Sequence, residues 1–311
     1  VNYAYDKDKN ITNLINRNPQ NGVIGEYSYT YDNYGNQSAK TENGSTTTYA
    51  YDELNRLKTV DYPSLGLETY TYDGAGNRLT KVSGSEDISY SYDERNRLTQ
   101  SINNGSKTSY TYDDNGNMTK LTKGENSTIY AYDGFNRLVE ATLPDGQFLY
   151  NEYDAFGLRT SMYENGTKYE FTLDRENVIA ENLGQDEAIR YIRGISLLAR
   201  QDSAGNLAYY LHNAHGDVTN IVDGAGTILN SYSYDAFGNT MTYTETVANR
   251  FMYAGEQFDE ATGQYYLRAR HYDPATSRML TEDIYRGDIE DPQSLNLYTY
   301  CENNPIKYID P

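Results

Sequence analysis

The chain has 311 residues, among them 35 Tyr, 7 Phe, no Trp and one Cys, with a formal net charge of −19 at pH 7. Buried Tyr needs a partner for its hydroxyl, so this composition argues against one large dry core and suits a thin wall held by backbone ladders. The charge disfavours nucleic acid and favours solubility and basic partners; the lone Cys301 excludes an internal disulfide, and no apolar run is long enough to span a membrane.

From the N-terminus, a Tyr-x-Tyr-Asp unit recurs at Tyr3–Asp6, Tyr29–Asp32, Tyr49–Asp52, Tyr70–Asp73, Tyr90–Asp93, Tyr110–Asp113, Tyr130–Asp133 and Tyr232–Asp235. Weaker copies stand at Asn151–Asp154 and Phe171–Asp174, and from Asp32 to Asp174 the spacing is 20 or 21 residues. A fixed period of this length marks a repeat architecture. Val1 lies inside a repeat, no signal peptide is visible and the last residues are Asp310-Pro311, so the expectation is a piece of a longer protein.

Within a unit the two Tyr point to one face of a strand, because side chains alternate. Three residues after each Asp the sequence reads Gly35, Asn55, Gly76, Asn96, Gly116, Asn136, Gly157 and Asn177. Gly and Asn tolerate positive φ, and a type I turn closed by a left-handed residue makes a three-residue hairpin loop. Asp52, Asp73, Asp93 and Asp113 are expected to accept a backbone N–H two residues on. Asn55, Gly76, Asn96 and Gly116 are expected at φ > 0. The alternation of Gly with Asn suggests a period of about 41 residues, with two kinds of loop differing in length or environment.

A second strand follows, as at Arg78–Val82, and then a second turn, as at Asn43-Gly44, Asn104-Gly105 and Asn165-Gly166. Each unit is thus an antiparallel hairpin, and successive units extend one sheet. Tyr rings are expected to stack between hairpins, with Arg56, Arg78 and Arg97 over rings. A long sheet twists and is expected to coil into a spiral, barrel or shell. The fold class is all-β, with regular hairpins over 1–177, degenerate repeats over 178–249 and a distinct segment over 250–311.

That segment carries Tyr265-Tyr266-Leu267-Arg268-Ala269-Arg270-His271-Tyr272-Asp273-Pro274, then Arg278–Asp283, then Asn296-Leu297-Tyr298 and Asn303-Asn304-Pro305. With the Tyr-Asp units it resembles the YD-repeat (Rhs) family, whose core segment closes the repeats. The resemblance implies a hollow β-shell plugged from within by the core segment. It further implies a C-terminal toxin, absent here, as partner, and a bacterial protein that is secreted or displayed on the cell surface. It also implies self-cleavage in the full-length protein by Asp283 and Asp310, assisted by Arg278. Asp283 is followed by Ile284 where the family usually has Pro, and no residues follow Pro311, so this chain is not expected to act as an enzyme.

Two other readings remain: a Tyr-lined module that binds glycan or a cell-surface receptor, and an aspartate-dependent self-cleaving segment. No cofactor is expected. His212 and His215 are too few for a metal site, and Asp223–Gly226 lacks the closing Glu of a calcium loop.

Overall fold

The computed structural model describes residues 1–184 and 188–310. Pro311, the end of the closing Asp-Pro, lies outside the described residues. Among the described residues, twenty-four strands, from Asn2–Tyr5 to Thr240–Thr244, form one antiparallel sheet. The chain divides into two compact units, Val1–Ser28 with Phe148–Ala269, and Tyr29–Gln147 with Arg270–Pro311. Each contains hairpins and its own share of the C-terminal segment.

The alternation of side chains sets the faces. Strand Gly66–Tyr72 buries Glu68 and Tyr70 while Leu67 and Thr71 are exposed. It pairs with Arg78–Val82, and the register shifts between Thr71 and Tyr72. The same shift recurs between Ala50 and Tyr51 and between Thr111 and Tyr112. At each of these bulges the second Tyr of the Tyr-x-Tyr pair sends its hydroxyl to a main-chain carbonyl of the preceding hairpin. Tyr51 donates to Gln37 O at 2.8 Å, Tyr72 to Leu57 O at 2.7 Å, Tyr92 to Arg78 O at 2.7 Å and Tyr132 to Met118 O at 2.8 Å. These phenol-to-carbonyl bonds are a recurring tie between hairpins. Burial raises the Tyr72 hydroxyl to about 12, so it stays protonated and donates. The guanidiniums do lie over rings: Arg56 over Tyr72 at 4.7 Å, Arg78 over Tyr70 at 4.8 Å and Arg97 over Tyr112 at 5.6 Å.

The second turns follow their sequence. Asn104 and Gly105 have φ 48 and 84 between the paired residues Asn103 and Ser106, the two-residue turn that Asn-Gly favours. One loop departs from the expected pattern. Asp174 pairs directly with Asn177, and the left-handed residue is Arg175, φ 55. A two-residue connection there replaces the longer loop, so Asn177 begins a strand instead of closing a turn.

After Thr244 the long strands stop. Two short hairpins follow, Gln257–Asp259 with Gln264–Tyr266 in the first unit and His271–Asp273 with Arg278–Met279 in the second, and their strands are almost wholly buried. Three 3-10 turns complete the segment, at Tyr253–Gly255, Pro292–Leu295 and Cys301–Asn303.

Candidate functional site

In the second unit the Tyr-Asp turns share one backbone construction. Asp73 N–H donates to Asn77 O, and Gly76 N–H donates back to Asp73 O at 3.2 Å. Asp73 Oδ1 accepts from Ala75 N–H at 2.9 Å and Asn77 N–H at 2.8 Å. Asp52 and Asp93 accept in the same way, from Leu54 and Arg56 and from Arg95 and Arg97, and Asp113 accepts from Asn117 N–H. Asn55, Gly76, Asn96 and Gly116 have φ 62, 80, 60 and 84.

The Gly and Asn loops have equal length and differ in the residue that follows. After each Gly comes an Asn (Asn36, Asn77, Asn117), and after each Asn comes an Arg (Arg56, Arg97, Arg137). Each of these Asn donates to its own Asp and to the Asn of the next loop: Asn77 Nδ2 to Asp73 Oδ2 at 3.0 Å and to Asn96 Oδ1 at 2.8 Å. Asn36 reaches Asn55 at 2.9 Å and Asn117 reaches Asn136 at 2.9 Å. The Arg carry the string onward. Arg56 bonds Asp52 through Nε and Asp73 O through Nη1, and Arg97 likewise reaches Asp113 O. Successive turns are thereby stitched side chain to turn. The alternation at this position was present in the sequence and would have revealed the string.

Residues 270–310 lie on this row. Asn304 Nδ2 donates to Asn36 Oδ1 at 3.0 Å and Asn55 O at 2.8 Å. Asn296 Nδ2 donates to Ala75 O at 2.9 Å and Asn77 Oδ1 at 2.8 Å, and Asn303 Nδ2 to Gly76 O at 2.8 Å. Tyr298 Oη donates to Gly116 O at 2.8 Å, and Met118 N–H donates to Leu280 O at 2.9 Å. Gly116 is crowded here: a Cβ would stand 2.5 Å from Glu282 Oε1, so any other residue would displace that side chain. The Asn-Leu-Tyr and Asn-Asn-Pro motifs are therefore the hooks of a strap that reads the turns.

The strap brings two of the three expected self-cleavage residues to one point. Asp283 Oδ2 lies 2.7 Å, and Asp310 Oδ2 3.5 Å, from Nη2 of Arg270. Arg278 is elsewhere. Its guanidinium donates to Asn77 Oδ1 and Asn96 O and lies 4.9 Å from the centre of the Tyr92 ring. Arg270 is thus the cation between the carboxylates, and the Arg-Ala-Arg motif gave its only sequence signal. Cys301 is close enough for Asp310 to act on it: burial first, then that carboxylate, pushes its thiol well above the ordinary value.

In the first unit, residues 250–266 meet the hairpins through buried arginines. Arg159 Nη1 lies 2.7 Å from Asp259 Oδ2, both side chains fully buried, and its guanidinium stacks 4.2 Å from the Tyr266 ring centre. Arg250 lies between Glu164 Oε2 at 3.1 Å and Glu181 Oε1 at 3.3 Å, over the Tyr169 ring at 4.3 Å. His215 Nδ1 is 2.7 Å from Asp217 Oδ1, which also accepts Ala254 N–H at 2.9 Å. Burial would raise Asp217, but the neighbouring His215 and these hydrogen bonds outweigh it and hold the carboxyl at about 2. His212 is neutral at pH 7, lowered to about 4 chiefly by burial. Among the described residues no group of three or more His, Cys, Asp or Glu is placed to hold a metal ion.

Repeating Tyr-Asp hairpins with a C-terminal strap seated on their turns define the class: a YD-repeat protein. The chain belongs to the Teneurin YD-shell family, which matches residues 77–172 and 182–306, while the RHS Repeat matches residues 31–66. It is similar to the tRNA3(Ser)-specific nuclease WapA of Bacillus spizizenii, 39% identical over 175 residues that make up 54% of this chain and 8% of that protein. It is also similar to toxin subunit YenC2 of Yersinia entomophaga, 35% identical over 95 residues, 29% of this chain and 9% of that one. The chain spans less than a tenth of either relative. The crystal structure of TcdB2-TccC3-Cdc42 aligns with 99% of this chain and 21% of its own, with a TM-score of 0.50 at 18% identity, a likeness of fold alone.

Proposed function

We propose that the chain is a length of shell wall in a longer bacterial toxin, secreted or held at the cell surface, that encloses and helps deliver an effector following it in the same polypeptide. The observation that carries this reading is the strap. Residues 270–310 leave the ladder and lie along the turn row by side-chain hooks, as a segment leading the chain away from the wall would. The family and the toxin and nuclease relatives support it. The role is structural: the hairpins repeat one solution for holding a wet sheet together. The test is to extend the chain by the residues that follow it in its gene and to digest with a nonspecific protease. The extension is expected to survive at least tenfold longer than the same extension made separately. Equal digestion rates would sink the proposal.

A second reading is favoured by the convergence of Asp283 and Asp310 on Arg270. In the extended polypeptide these carboxylates act at a peptide bond beyond Pro311. The Arg270 guanidinium holds the two carboxylates at one point, where one of them can activate water as a base. Self-cleavage on a denaturing gel is expected to stop in Asp283→Asn and in Asp310→Asn. A fragment pattern unchanged by either substitution would remove this reading.

A further inference from the structure

The first unit holds a cavity of about 300 Å³ that neither the wall nor the strap uses. Its described lining includes four carboxylates, Glu164, Glu181, Glu245 and Glu260, against one basic group, Arg250. Arg250 satisfies the two inner ones, Glu164 and Glu181. Glu245 and Glu260 remain outside that arrangement; Glu245 accepts the Tyr232 hydroxyl, and burial, with the charge of Glu260 nearby, raises its carboxyl above the ordinary value. Aromatic faces complete the lining: Tyr169, Tyr191 and Tyr243, the last with 66% of its surface exposed.

We infer that this cavity is a binding site for an organic cation, a guanidinium or alkylammonium group of the size of an arginine or lysine side chain. Two features beyond the charge lead there. The volume suits a side-chain-sized group, and the lining joins carboxylates to tyrosine faces, the combination that holds such cations. Arg250 shows the arrangement at work in the same cavity, a guanidinium lying over Tyr169 between two glutamates. The incoming cation occupies the remaining space toward Glu245 and Glu260 with Tyr243 beside it. The site stands apart from the encapsulation proposal, because an organic cation can come from a free small molecule or from a basic residue of a polypeptide.

The experiment is calorimetric titration of this chain with L-argininamide, with citrullinamide as the neutral isostere, at low and at 300 mM salt. Argininamide is expected to bind with a millimolar or better Kd that weakens at least threefold in the higher salt, and citrullinamide at least tenfold more weakly. The double variant Glu245→Gln/Glu260→Gln is expected to lose at least tenfold, and Tyr243→Ala several-fold. Both act at the exposed part of the cavity, and a thermal melt checks that each is folded. A capped tripeptide with a central arginine distinguishes the sources. Binding as tight as that of argininamide points to a polypeptide, and binding of argininamide with exclusion of the tripeptide points to a small molecule. No binding of argininamide, equal binding of citrullinamide, or an affinity unchanged in the double variant overturns the inference.

Discussion

At the scale of single residues, what distinguishes one turn from another is what approaches it. Gly44 and Gly116 both have positive φ, 87 and 84, yet a Cβ on Gly44 would meet nothing within 4 Å while one on Gly116 would overlap Glu282. Gly44→Ala should therefore cost only the left-handed strain, about 1–2 kcal/mol. Gly116→Ala should cost about 1–2 kcal/mol more, because Glu282 must leave its ion pairs with Arg95 and Arg286. Urea melts check this, with Glu282→Ala expected to recover the excess in the Gly116→Ala background; equal losses at the two glycines would refute it. The sequence marked both glycines as turn formers, but the glutamate that crowds one of them comes from far along the chain and left no local signal.

His212 gives a pH dependence with a definite sign. Its folded value, about 4, lies below the ordinary 6.5, so the unfolded chain binds the proton more readily. The stability this gives is present above pH 6.5 and is lost as pH falls toward 4, by at most about 3 kcal/mol. Asp217, held at about 2, stays ionised throughout that window. The melting temperature is expected to fall between pH 7 and 5, and the fall to be smaller in His212→Gln. Parallel profiles for the two proteins would show that this imidazole does not set the slope.

At the scale of elements, the hairpin was legible and its use was not. Tyr-x-Tyr-Asp and the Gly or Asn three residues on specify strand, turn and left-handed exit by local chemistry, so the repeats could be placed residue by residue. The shortened turn at Asp174–Asn177 escaped because Asn suits both a left-handed position and a strand start. The strap escaped for a different reason. Its hooks bind main-chain carbonyls and single amides, which impose no periodicity, so Asn296, Asn303 and Asn304 could be placed only by resemblance. Asn77 shows what is at stake. It bonds Asp73 and Asn96 within the row and accepts from Asn296 and Arg278 of the strap, whereas Asn117 bonds its own row through Asp113 and Asn136. Each lost hydrogen bond costs about 1 kcal/mol and a stranded partner more. Asn77→Ala should thus destabilise by about 2–4 kcal/mol and Asn117→Ala by about half as much. Limited proteolysis separates the two effects: Asn77→Ala is expected to speed cleavage near the exposed Ile284 and Ile289, and Asn117→Ala to leave that rate near wild type. Equal acceleration by both substitutions would mean that the turn row, rather than the hook, holds the strap.

At the scale of the whole molecule, the charge works against the fold. The chain carries 26 Lys and Arg against 45 Asp and Glu. Several of its cations are spent inside: Arg78, Arg159, Arg250 and Arg278 are all buried. Buried carboxylates, Glu68, Glu164, Glu181, Asp217, Asp259 and Asp273, offset them, so the surface keeps the acidity that the composition gives. Buried pairs such as Arg159 with Asp259 are screened little by salt, while repulsion among exposed carboxylates is screened strongly. Raising NaCl from about 10 to 300 mM shortens the Debye length from about 30 Å to under 10 Å, which removes most long-range repulsion and leaves the interior pairs nearly intact. The melting temperature should rise across that range, by roughly 2–4 °C for each kcal/mol of repulsion relieved. If repulsion is the cause, the gain should shrink when exposed carboxylates such as Glu53, Glu94 and Asp114 are replaced together by their amides. A melting temperature that is flat or falls with salt would instead place the dominant electrostatics in attractive surface pairs such as Lys168 with Glu170, and would contradict a wall kept soluble at the expense of its own stability.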